Sequence, residues 1–154
     1  MNTNSVDWQS ARKEIVRNAA SIGVAVAMYG VSFGALGTTT GLSIPQTMAL
    51  SLLMFTGASQ FTLVSTLASG GTALTAVVAS WLMGTRNAAY SMRMTPILKT
   101  KGPGRLVAVQ LTIDESTAMG LAQDEEAFDG RASRLAFWAT GLSVYLLWNL
   151  ATFI

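Results

Sequence analysis

Between Arg17 and Arg86 the chain runs for 68 residues, Asn18 to Thr85, without one Asp, Glu, Lys or Arg. A water-soluble domain needs polar outer faces on its helices or strands, and a charge-free run of that length cannot supply them. The run is suited to a bilayer. At about 20 residues per crossing of a hydrocarbon core about 30 Å thick, it has room for about three helices joined by short turns. The rest of the chain agrees: of 154 residues, 51% are apolar and 12% charged, against about 25% charged in a soluble domain.

Absences narrow the chemistry. With no His and no Cys there is no disulfide, thiolate nucleophile, imidazole base or usual transition-metal ligand. The expectation is a protein that is not an enzyme and holds no metal and no cofactor. A net charge of +2 gives no footprint for nucleic acid. The N-terminus is a poor signal peptide, because Asp7 and Glu14 are mixed with Arg12, Lys13 and Arg17.

The pattern divides the chain into an amphipathic N-terminal segment, 1–18, and a helical transmembrane domain, 19–154. In the first, Val6, Trp8, Ala11 and Ile15 share a face suited to the headgroup level, which makes it an anchor and not a span. Five apolar segments follow, at about 19–38, 44–68, 73–94, 106–122 and 135–154. Small residues line the first: Ala19, Gly23 and Ala27 are four apart, and Gly30 and Gly34 form a GxxxG ridge that lets another helix approach closely. Ser43-Ile44-Pro45-Gln46 reads as a capped helix start. Gly70-Gly71 and Gly102-Pro103-Gly104 mark turns, and Asp124, Glu125, Glu126 and Asp129 an acidic loop. The runs are long, rich in Ala, Leu and Met, and lack the alternation of a barrel, so the fold class is all-α: a polytopic helical membrane protein of about five segments, some broken or re-entrant.

Topology creates a conflict. Arg12, Lys13 and Arg17 precede segment one, and Arg93, Lys99, Lys101 and Arg105 follow segment three, yet cytoplasmic loops should hold the basic residues. Three full crossings put the clusters on opposite sides. Either the N-terminus is outside, or a Gly-interrupted segment enters and leaves by one face. A cytoplasmic 99–105 loop, with segment four crossing once, places the 124–129 loop on the far side.

Polar groups inside the apolar segments are the candidate site. Gly57 can open the second segment so that Ser59 and the Gln60 amide face a ligand; the alternative is close packing at Gly57 and an interhelical hydrogen bond from Gln60. Arg86 and Asn87 lie toward the end of segment three, with Tyr90 and Arg93 on the Arg86 face. A guanidinium at that depth costs several kcal/mol unless paired, so Arg86 needs a carboxylate, backbone or ligand partner. Asp114 and Glu115, near the middle of segment four, suit proton carriage or ammonium binding. Thr112-Ile113-Asp114-Glu115 also matches a capping box, and both readings hold if a helix begins inside the membrane. Arg86 is expected to bond Asp114 or Glu115 when the site is empty. Trp81, Trp138, Trp148 and Tyr145 read as packing and interface anchors.

Three motifs, GASQF at Gly57 to Phe61, RNAAY at Arg86 to Tyr90 and TIDES at Thr112 to Ser116, in that order and at those separations, resemble the AzlC-type branched-chain amino acid permease family. The resemblance covers about 15–154. It implies an inner-membrane large subunit that works with a small hydrophobic subunit of the AzlD type and exports branched-chain amino acids such as valine. Ser59, Gln60, Arg86, Asn87, Asp114 and Glu115 match the family's recurring polar positions and are the expected substrate-binding residues, with Gly30, Gly34 and Gly57 as helix-packing positions. Family members usually continue for further membrane segments, whereas this sequence ends at Ala151-Thr152-Phe153-Ile154. A small-solute channel and a non-transporting assembly subunit, including a homo-oligomer, are the competing readings.

Overall fold

The computed structural model describes residues 7–123 and 127–154, and every regular element within them is helical. Two long helices form the frame. The first, α1, spans Trp8–Thr39, 32 residues, or about 48 Å at 1.5 Å per residue. It passes residues 18 and 19 without a break, so the amphipathic segment and the first apolar segment are one rod. Val6 of the amphipathic face lies outside the described residues. The last helix, α8, spans Arg131–Phe153. Both are long and apolar enough to cross a membrane.

These helices pack side by side and parallel. Along α1, the Trp8 ring meets Phe128 at 5.1 Å, Ile15 is buried with Ala132 and Ala136, and Gly23 faces Ser143. Further on, Gly30 faces the Trp148 backbone and Gly34 the Thr152 carbonyl. Positions advance in the same sense on both helices. A Cβ at Gly30 would stand 2.8 Å from the Trp148 carbonyl oxygen, so the small residues allow backbones to touch. The GxxxG ridge is therefore used inside the chain, against α8.

Between the two rods, three segments that read as single helices are each divided in two. The second is α2, Ile44–Leu53, and α3, Gly57–Ala68; the third is α4, Ala73–Gly84, and α5, Arg86–Leu98; the fourth is α6, Pro103–Gln110, and α7, Asp114–Leu121. Ser43 starts α2 as its sequence indicates: the Gln46 side chain accepts from the Ser43 backbone N–H at 2.8 Å, and Ser43 Oγ accepts from Gln46 N–H at 3.4 Å.

Contacts with the frame give each half its direction. Thr47 in α2 packs on Gly37 near the end of α1, and Ser51 bonds Thr152 at 3.3 Å. By Phe55 the chain has descended to Tyr145, 4.8 Å between ring centroids. It then turns back. Phe61 of α3 lies 6.0 Å from Phe33 and 6.2 Å from Trp148, so α2 and α3 form a hairpin that enters and leaves by the end where α1 terminates. A short turn leads into α4, which descends to Gly84 beside Ser59. The α5 helix continues downward until Ile97 lines a cavity with Gly130 and Arg134, at the start of α8. From there α6 rises to Gln110, whose amide reaches the Leu52 carbonyl. The chain turns again, and α7 returns to place Gly120 against Phe137 and Ser133.

Segments two and four are thus hairpins that enter the frame from opposite ends, and of the three divided segments segment three alone passes from one end to the other. This resolves the topological conflict and overturns one expectation. Arg93, Lys99, Asp129 and Arg134 line one cavity of about 400 Å³, so the 99–105 loop and Asp129 share an end; Asp124, Glu125 and Glu126 lie outside the described residues. Segment four fails to cross because its backbone reverses at 111–113. Ser116 Oγ accepts from Ile113 N–H at 3.1 Å and donates to the Leu111 carbonyl at 2.6 Å, closing the bend. The expected Thr112 cap is displaced by one residue. Ile113 occupies the cap position, and the Thr112 hydroxyl donates instead to Ala108 within α6. With segment two folded back, every Lys and Arg except Arg86 lies toward one end of the frame, and the opposite turns, 40–43 and 69–72, carry none.

Candidate functional site

The two hairpin tips and the α4–α5 joint meet at a cavity of about 200 Å³, lined by 55–58, Arg86, 113–115, Val26, Val144 and Trp148. Val26 stands 18 residues into the 32-residue α1, so the cavity lies near the middle of the frame. Three helices begin there: α3 at Gly57, α5 at Arg86 and α7 at Asp114. None of their N-cap side chains caps them. The starts of α3 and α7 follow extended N-cap residues and line the cavity, so their dipoles favour an anionic group there, whereas α5 continues from α4 through Thr85 in α conformation.

Local sequence explains each opening. Thr56 is extended at φ −155°, ψ 108°, and Gly57 follows where a Cβ would stand 3.1 Å from the Trp148 ring. Gly57 is thus a close-packing position against α8. At the α4–α5 joint the backbone tightens to i,i+3 hydrogen bonds, from Thr85 N–H to Leu82 and from Ala88 N–H to Thr85. Ile113 is extended, with Asp114 and Glu115 in the first turn of α7, where carboxylates meet the helix dipole favourably.

Arg86 and Asp114 form an ion pair across the cavity, with Arg86 Nη2 2.7 Å from Asp114 Oδ2. Their side chains remain 37% and 44% exposed, so the chain itself covers the pair only in part. Tyr90, one turn beyond Arg86, brings its phenol beside Asp114. Glu115 lines the same cavity. Polar groups here are left over: among the described residues, Arg86 Nε, Asp114 Oδ1, Asn87 Oδ1 and Trp148 Nε1 are buried without a hydrogen-bond partner.

Of the six expected site residues, the cavity gathers Arg86, Asp114 and Glu115. The other three stand behind it. Gln60 is fully buried and donates from Nε2 to Met54 at 2.8 Å, with longer contacts to Leu50 and Ser51 at 3.4 Å. It caps the broken end of α2 and holds the hairpin bend, the interhelical alternative in a local form. Ser59 packs against Gly84, and Asn87 sits one residue from Arg86 without lining the cavity. The apolar wall of Val26, Val144 and Trp148 has no counterpart among the sequence candidates. Trp148 reads from the sequence as an anchor, and only its position opposite Gly57 makes it part of the site.

A family model described as AzlC protein matches residues 21–154. No curated protein and no solved structure matches the chain.

Proposed function

The chain belongs to the AzlC family, and from that premise we propose that it is a multi-pass inner-membrane transporter subunit exporting branched-chain amino acids such as valine, not an enzyme. The observation that carries the reading is the convergence of three helix starts on one oppositely charged pair beside an apolar wall. A zwitterion with an aliphatic side chain complements each part. Its carboxylate pairs with Arg86 and the uncapped N–H groups of α3, its ammonium with Asp114 and Glu115, and its side chain packs on Val26, Val144 and Trp148. Arg86 and Asp114 pair with each other at 2.7 Å; substrate exchanges that contact for two of its own, which limits the cost of desolvating either charge.

Non-helical backbone at this depth is tolerated in a membrane where it is covered by protein or lines a watery cavity, and discontinuous helices are a recurrent way to build a transport site. The basic end is cytoplasmic on this reading, since it holds every Lys and Arg other than Arg86. A small hydrophobic subunit of the AzlD type completes the transporter. Labelled valine efflux from cells carrying the chain, with and without that subunit, tests the proposal. Saturable efflux that needs both chains supports it; non-saturating flux assigns a channel, and a stable complex without flux assigns an assembly role.

A further inference from the structure

The chain repeats one pattern in opposite senses. A crossing element, α1, is followed by a hairpin, α2 and α3, that re-enters from the end just reached. The second crossing element, α4 with α5, runs the other way and is followed by α6 and α7, which re-enter from the basic end. Each hairpin therefore stands between the cavity and one side of the membrane, and its tip forms part of the cavity wall.

One side chain joins the tips. Gln110, the last residue of α6, donates from Nε2 to the Leu52 carbonyl at 2.9 Å and reaches the Leu53 carbonyl at 3.4 Å. These are the terminal carbonyls of α2, orphaned by the break. Among the described residues, no other side-chain hydrogen bond joins α2 or α3 to α6 or α7. Gln60 serves Leu50, Ser51 and Met54 from within its own hairpin, and the Tyr145 hydroxyl approaches Leu52 from α8 at 3.4 Å. Among the described residues, Gln110 alone bridges the two hairpins by a side-chain hydrogen bond, and it does not line the cavity.

We propose that the opposed hairpins are the two gates of the site and that Gln110 is the positioning residue that latches them together. Either hairpin must break this bond to swing away from the other. The latch thus favours the state in which both gates are shut. The inference rests on the transport reading for its meaning, but its geometry can be examined without a substrate.

The natural lack of Cys gives a clean background for a single reporter, Ala58→Cys, in the cavity wall. Inside-out and right-side-out vesicles are treated with an impermeant maleimide, with and without valine. In the Gln110→Met variant, which keeps side-chain length and loses the donor, labelling accelerates about fivefold from at least one side, the change in an equilibrium supported by a hydrogen bond of ordinary net strength. Tyr145→Phe, which removes a contact to the same carbonyl but not the bridge, labels at the parent rate. Equal rates in the parent and Gln110→Met overturn the proposal, as does equal acceleration by Tyr145→Phe. If Gln110→Met does not accumulate, Gln110→Asn, too short to bridge, is compared instead, and parent-like labelling there also overturns the latch. Valine efflux measured in parallel separates the two readings: labelling contrast without flux in the parent retains the latch and removes valine transport.

Discussion

Arg86 and Asp114 decide whether the cavity is a site or a structural joint. Removing one partner leaves the other charge unmatched at depth, which costs several kcal/mol and harms accumulation as well as transport. Arg86→Gln and Asp114→Asn should each abolish valine efflux, and the double variant should recover membrane expression without efflux. Normal efflux in the double variant removes the pair from the mechanism; normal expression of all three, with no coupling in a double-mutant cycle, means the side chains do not meet. Gln60 belongs to the scaffold and gives the opposite signature. Gln60→Leu removes the amide contacts to the Leu50, Ser51 and Met54 carbonyls at the end of α2, of which Leu50 and Met54 keep backbone partners, so it lowers thermal stability in detergent by about 1–3 kcal/mol while leaving the KM for valine unchanged in the protein that folds. These charges were legible in the sequence because an Arg and two carboxylates in apolar segments need partners. The roles of Ser59, Gln60 and Asn87 were not, because polarity alone does not distinguish a group facing a cavity from one that mends a broken helix.

Breaks decide the behaviour of the middle segments, whereas close packing decides that of the frame. The small-residue spacing in α1 was readable, but its partner could have been another chain, and the structure assigns α8. Gly34→Leu introduces a side chain where even a Cβ would collide with the Thr152 carbonyl. It should destabilise the chain by about 1–3 kcal/mol or more, seen as loss of the monodisperse peak in detergent whether or not a small subunit is present. Loss only of complex formation, with the isolated chain unaffected, places the ridge at an intermolecular interface. The capped start of α2 was equally plain, since Ser43 and Gln46 bond locally. Hydropathy, by contrast, is blind to direction: an apolar segment of about 20 residues has the same profile whether it crosses or folds back. The reversal at 111–113 depends on Ser116 meeting two backbone groups of the bend, a tertiary geometry that periodicity does not encode.

At the scale of the whole molecule, the α4–α5 segment and the two opposed hairpins, set between α1 and α8 in the chain, bring the described basic loops to one end. Single Cys substitutions at Thr100 and Asp129 should label from the same side of the membrane, and a substitution at Ser69 from the other. Labelling of Thr100→Cys and Asp129→Cys from opposite sides restores segment four as a crossing and removes the second hairpin. The charge-free turns at the far end, 40–43 and 69–72, bear on how such a chain is made. A charge carried through the full membrane potential exchanges about 2.3 kcal/mol per 100 mV with the field. On the proposed topology those two turns are delivered across during synthesis, and they carry nothing on which the field can act. On that topology their passage should be as efficient in de-energised as in energised membranes, read as far-side labelling of a Ser69→Cys variant.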